Sequence, residues 1–105
     1  MPGRYLLVGG AMLAGIRFAP AHSETIQIMI DKLEFSRAVI TAKVGDTIEW
    51  INKDILAHTA TVHGDWDVTI PPKKTADLVL KRAGSVEYYC RFHPNMKGRI
   101  SVVPE

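Results

Sequence analysis

Apolar and polar residues alternate with a period of two through most of this chain, and no stretch holds a helical period of useful length. Alternate side chains of an extended strand point to opposite faces, so this pattern makes strands with one face turned to a core. The segments are 25–30, 39–44, 47–52, 59–62, 75–80, 86–90 and 98–103, and β-branched residues are frequent in them. Gly, Pro and Asp punctuate them, as in Val44-Gly45-Asp46 and in the Lys81–Ser85 break with its Gly84. Short strands at such spacing predict an all-β Greek-key sandwich of about seven to eight strands, with Trp50 in the core of a central strand. Phe35 to Ala38 leaves room for one helical turn. Trp66, in Gly64-Asp65-Trp66-Asp67, reads as part of a polar loop, open to solvent or to a partner.

The first residues differ from the rest. Arg4 precedes a twelve-residue apolar run, Tyr5 to Ile16, and Ala19-Pro20-Ala21 has the small-x-small form of a signal-peptidase site. This predicts a signal peptide over 1–21, a mature domain over 22–105 and export to the periplasm. The run is shorter than the roughly 20 residues a membrane span needs, so no span is expected in the mature chain. The net charge is +2, and Arg4 and Arg17 carry the excess; beyond them eleven Lys/Arg balance eleven Asp/Glu. A neutral domain without a basic stripe excludes nucleic acid as the natural partner. A monomer is the default for such a chain.

Cys90 is the only cysteine. It cannot form an internal disulfide, and an exposed free thiol outside the cytosol would be oxidised or cross-linked. Its surroundings, Tyr88-Tyr89-Cys90-Arg91-Phe92-His93-Pro94-Asn95-Met96-Lys97-Gly98, put a thiol, an imidazole and a thioether on one short loop. Soft sulfur donors with imidazole favour copper over hard cations, and one Cys with two His and a weak axial Met is the pattern of blue-copper electron-transfer sites. A second His must come from elsewhere. His22, His58 and His63 are the candidates; His58 and His63 are five apart and so face opposite sides of a regular strand. His58, beside a loop that leaves the Trp50 strand, is favoured. Pro94 stiffens the turn that carries His93 and Met96.

These segments resemble the cupredoxins, the small blue-copper proteins, and most closely those of the amicyanin type, with the C-x2-H-x2-M spacing of Cys90, His93 and Met96. Lys43 to Asn52 followed by His58 is similar to the family's strand into its first ligand. Ala83 to Cys90 and Met96 to Val102 are similar to its last two strands. The resemblance covers about Ile26 to Val103. It implies His58, Cys90 and His93 as equatorial copper ligands and Met96 as the axial one, in a single-electron carrier that turns over no substrate. It also implies redox partners: a dehydrogenase or other oxidoreductase upstream and a c-type cytochrome downstream. Thr59 departs from the family, which usually has Asn after the first ligand, where the side chain ties the two ligand loops together. The extra N-terminal segment of the amicyanins is missing if cleavage follows Ala21.

Two other readings use the same residues. A copper chaperone or store of the same fold would want a labile, exposed site. A metal-free interaction module would hold the four side chains by chance. Zinc is disfavoured because a thioether is a poor zinc ligand, and a Cys90–His93 nucleophile lacks an orienting third group.

Overall fold

The structure, a computed structural model, describes residues 23–105; the expected signal peptide, its cleavage point and His22 lie outside the described residues. Among the described residues nine strands form: β1 (Thr25–Asp31), β2 (Glu34–Phe35), β3 (Val39–Lys43), β4 (Thr47–Asn52), β5 (His58–Val62), β6 (Trp66–Ile70), β7 (Thr75–Val79), β8 (Gly84–Cys90) and β9 (His93–Val103). They make a four-stranded sheet in the order β2-β1-β4-β7 and a five-stranded sheet in the order β3-β9-β8-β5-β6. β1–β4 and β3–β9 pair in parallel and the remaining neighbours are antiparallel. Chain neighbours such as β3 and β4 therefore sit in different sheets, the crossed connectivity of a β-sandwich.

Seven of these strands fall where the alternation predicts them. The other two correct the reading. β2 is only two residues long, too short to show a period. It closes a two-residue hairpin with β1, in which Lys32 and Leu33 take φ of 53° and 61°. Two positive φ values in a two-residue loop are the type I′ geometry that follows strand twist. Phe35 accordingly lies buried on β2, not in a helical turn. β6 contains Trp66, which is half-buried, not a loop residue.

The inward faces are Ile28 and Ile30 on β1, Ile48 and Trp50 on β4, Tyr88 and Cys90 on β8, and Ile100 and Val102 on β9, all buried. At the centre, the Tyr88 ring meets Phe35 edge-on at 4.8 Å and Trp50 at 5.6 Å, and Trp66 covers both Trp50 and Tyr88 at about 6 Å. Trp50 Nε1–H donates to the Tyr88 hydroxyl at 3.3 Å, giving two buried polar groups a partner. Burial pushes the Tyr88 hydroxyl up to about 12, against the opposing effect of that bond.

Asp46 fastens the end of the sandwich that lies away from Cys90. It is buried; its Oδ1 accepts the Glu24 N–H at 2.9 Å and its Oδ2 the Lys43 N–H at 2.9 Å, with the Lys43 ammonium 3.2 Å from Oδ1. Burial raises its pKa, but those donors outweigh it and hold the carboxyl below the ordinary 3.8. A carboxyl depressed by folding stabilises the fold above its unfolded value, and that stability is lost as pH falls through the folded value. Asp46→Asn takes one of two acceptors from the partly buried Glu24 and Lys43 amides and is expected to lose about 1–3 kcal/mol at neutral pH. Urea unfolding at pH 7 and through the acid range checks this: the wild type loses the contribution on acidification, and the variant shows a flatter acid limb.

Candidate metal centre

Cys90 is the last residue of β8 and has the inward orientation of Tyr88, two positions earlier. It is completely buried and forms no disulfide. β9 begins at His93, paired with Cys90, but Tyr89 pairs with Lys97. One step on β8 thus corresponds to four on β9, so Pro94, Asn95 and Met96 form an excursion outside the ladder. The turn foreseen for His93 and Met96 is this bulge, a common way to re-aim side chains beside a site. Met96 is buried within it, and His93 is half-buried.

His58 opens β5 and is completely buried. His58 Nδ1 lies 3.6 Å from Cys90 Sγ and His93 Nδ1 lies 3.8 Å from it. The three donor atoms are all within 4.8 Å of one another. Metal bonds of about 2.0–2.3 Å to N and S place neighbouring corners of a trigonal site about 3.5–4 Å apart. The observed edges to sulfur match that spacing, so the residues present fit one small, soft metal ion. His63, the other candidate within the described residues, is exposed in the turn at the far end of β5.

The outer partners explain the orientation. His58 Nε2 lies 2.8 Å from Asp54 Oδ2. A carboxylate only accepts, so Nε2 carries the proton and the Nδ1 lone pair faces Cys90. Asp54 Oδ1 also accepts the Lys32 N–H at 2.8 Å and Oδ2 the Leu33 N–H at 3.0 Å. The β1–β2 turn, with its two left-handed residues, is therefore tied to the His58 ring through one carboxylate. Burial pushes Asp54 up, but the Leu33, His58 and Lys32 donors outweigh it and its pKa lies below 3.8. Asn52, also buried, shapes the loop: its side-chain amide donates to Leu56 O, Ile70 O and Pro71 O, and its Oδ1 accepts the Asp54 N–H at 2.8 Å.

On the Cys90 side, the Thr59 N–H points at Sγ from 3.4 Å, and the Arg91 N–H donates to Thr59 Oγ1 at 2.8 Å. The segments that carry His58 and Cys90 are thus joined by two rungs, and the Thr59 hydroxyl supplies one of them. Hydrogen bonds from Thr61 and then Arg91 hold Asp67, on neighbouring β6, below 3.8 against the upward effect of burial.

Sequence reasoning missed Asn52, Asp54, Thr61 and Asp67. The one local signal was Asn52-Lys53-Asp54, an Asx-type turn two residues long, four before His58. Asp54→Asn leaves one acceptor where the carboxylate had two and turns an amide N–H₂ against either Lys32 or Leu33. It is expected to weaken copper affinity by about 10–100-fold, the usual effect of losing a ligand's outer partner. A competition titration against a copper chelator of known affinity measures it.

Comparison with known proteins agrees with this geometry. The model of the cupredoxin-like domain matches residues 3–102. Amicyanin of Paracoccus denitrificans is 32% identical over 94 residues, covering 81% of this chain and 72% of its own. The methylamine utilization protein MauL of Methylorubrum extorquens is 33% identical over 88 residues, covering 79% and 77%. The crystal structure of amicyanin from Paracoccus versutus superposes with a TM-score of 0.65 at 26% identity, covering 79% of this chain and 83% of that one. The chain belongs to the cupredoxin-like family, and its clustered His, Cys and His, with Met96 buried close by in sequence, has the geometry of a type 1 copper electron-transfer centre. No helix among the described residues is long and apolar enough to cross a membrane.

Proposed function

We propose that this protein is a periplasmic single-electron carrier in which His58, Cys90, His93 and Met96 would hold one copper ion. The observation that carries the reading is the placement of two imidazole Nδ1 atoms 3.6 and 3.8 Å from one buried cysteine sulfur. Copper held there by a thiolate, two imidazoles and a thioether would supply a Cu(I)/Cu(II) couple. The chain holds these donors on rigid elements. Cys90 ends a central strand, His58 begins its neighbour, and Asp54 and Thr59 restrain the His58 ring and the sulfur. Little movement on electron gain or loss follows from that restraint. The Thr59 N–H beside Sγ withdraws electron density from the thiolate and so favours the reduced form.

His93, half-buried, is the exit for the electron. The loops flanking it and His58 expose Phe92, Leu56 and Ile55, which are 50%, 47% and 79% accessible. A small apolar surface of this kind suits brief docking, and redox encounters bury little area. The MauL relative's part in methylamine utilization supports an amine-oxidising dehydrogenase as the electron source. A c-type cytochrome is the proposed acceptor. Export under a signal peptide over 1–21 would leave a mature chain beginning at His22, which the intact mass of the secreted protein tests.

The test of the whole reading is the visible spectrum and voltammetry of the copper-loaded protein. A carrier gives an intense thiolate-to-Cu(II) band and a reversible one-electron wave. A colourless protein that binds only Cu(I), or none, would replace this reading with the storage or interaction-module alternative.

A further inference from the structure

The buried hydroxyls on β5 form a path with a defined direction. Thr61 Oγ1 lies 2.7 Å from Asp67 Oδ1 and 2.9 Å from Thr59 Oγ1. Thr61 has one hydroxyl hydrogen and the carboxylate only accepts, so that hydrogen goes to Asp67. The hydrogen between the two threonines must then come from Thr59. That leaves a Thr59 lone pair for the Arg91 N–H at 2.8 Å. The Arg91 side chain closes the circuit, with Nε–H donating to the same Asp67 Oδ1 at 3.1 Å. Thr61 and Asp67 are directly opposite across the β5–β6 ladder, so the strands themselves set this spacing. Thr59 and Thr61 are buried, whereas the Asp67 and Arg91 side chains are about half exposed.

We propose that Asp67 is a positioning residue for the metal centre: through Thr61 and Thr59 it orients the hydroxyl that holds the Arg91 amide, and so fixes Cys90 Sγ against the Thr59 N–H. This rests on the copper reading for its effect on potential, but not for the network itself. The tie between the segments that carry His58 and Cys90 is thus spread over two hydroxyls, a carboxylate and a guanidinium. Asp67 lies nine residues from His58 and 23 from Cys90 in sequence, and its side-chain hydrogen bonds run to Thr61 and Arg91. An ion pair this exposed contributes little by itself. Its importance lies in dictating the direction of a buried hydrogen-bond chain, in which each link constrains the next.

The experiment compares Asp67→Ala with Asp67→Asn. Every contact runs to Oδ1, so the Asn carbonyl still accepts from Thr61 and Arg91, and both variants remove the same charge. Amide hydrogen exchange is measured on the whole purified protein before metal is added. In Asp67→Ala the Arg91 and Thr59 amides should exchange at least about tenfold faster than in the wild type, while the β1 and β4 amides in the other sheet stay unchanged. In Asp67→Asn they should remain within about threefold of the wild type. After copper loading, Asp67→Ala should have a lower reduction potential than Asp67→Asn, because a loosened N–H no longer stabilises the electron-rich sulfur. Unchanged Arg91 and Thr59 exchange in Asp67→Ala, equal loosening of both sheets, or equal potentials in the two variants would each overturn the proposal. A wild-type protein without the thiolate band would sink the copper reading, and the exchange comparison would still decide the network.

Discussion

Cys90→Ser is expected to leave a folded protein that shows no intense visible absorption on Cu(II) addition and loses copper affinity by far more than the 10–100-fold of an outer-shell change. The substitution exchanges one atom at a fully buried position, so the β8–β9 ladder and the core around Tyr88 have no reason to rearrange. The Thr59 N–H and both imidazoles still surround the site and would meet a hydroxyl in place of the thiol. The chemistry is what changes. A thiolate is the nucleophile and the metal ligand, and a serine hydroxyl is neither deprotonated near neutrality nor soft. The absorption arises from charge transfer out of the sulfur, so it has no source in the variant. Retention of the band in Cys90→Ser would show that the colour comes from another site. Denaturant midpoints close to the wild-type value would establish that the loss is chemical.

Gly98→Ala is expected to destabilise the protein by about 1–3 kcal/mol or more, or to prevent folding, although it adds only a methyl group. Gly98 pairs with Tyr88 across the β8–β9 ladder. A Cβ at Gly98 would lie 2.4 Å from Tyr88 Cζ, 2.5 Å from its hydroxyl oxygen and 2.6 Å from Cε1. Cβ atoms do not approach rigid ring atoms so closely, and here the ring has nowhere to go. Phe35, Trp50 and Trp66 enclose it, and its hydroxyl is bonded to Trp50. The ring could yield only by leaving a rotamer, shifting the aromatic cluster or displacing β9. The last of these moves Met96 and His93 as well, so the variant should also broaden or displace the copper spectrum. Thermal unfolding with and without copper measures both effects. A wild-type melting temperature would show that the Tyr88 ring gives way freely.

How the site became legible is clearest from Cys90 and His93. Their donor types and close spacing could be read directly, because a strand end followed by a tight turn constrains where three nearby side chains go. Strand parity allowed only one of two histidines five residues apart to face a given side, and His58 was favoured by its place beside the loop that leaves the Trp50 strand. Seven strands followed from alternation, which is a property of each segment alone. Trp66 did not, because Gly64, Asp65 and Asp67 around it look like a loop; its strand exists through pairing with β5. The two-residue β2 likewise depends on β1 and on Asp54, which binds both amides of the turn.

The sequence by itself determined the two-sheet class of fold, the soft donor set and the stretch of chain that carries most of it. Periodicity, side-chain chemistry and short-range spacing are all local, and they survive without knowledge of the partners. Tertiary structure alone decided the rest. It brought His58 from 32 residues away to within 3.6 Å of Cys90 Sγ, set Asp54 behind the His58 ring, and closed the circuit from Asp67 to Arg91. Those contacts depend on which strands are neighbours and in what register, and hydrogen bonds between distant segments leave no period to read.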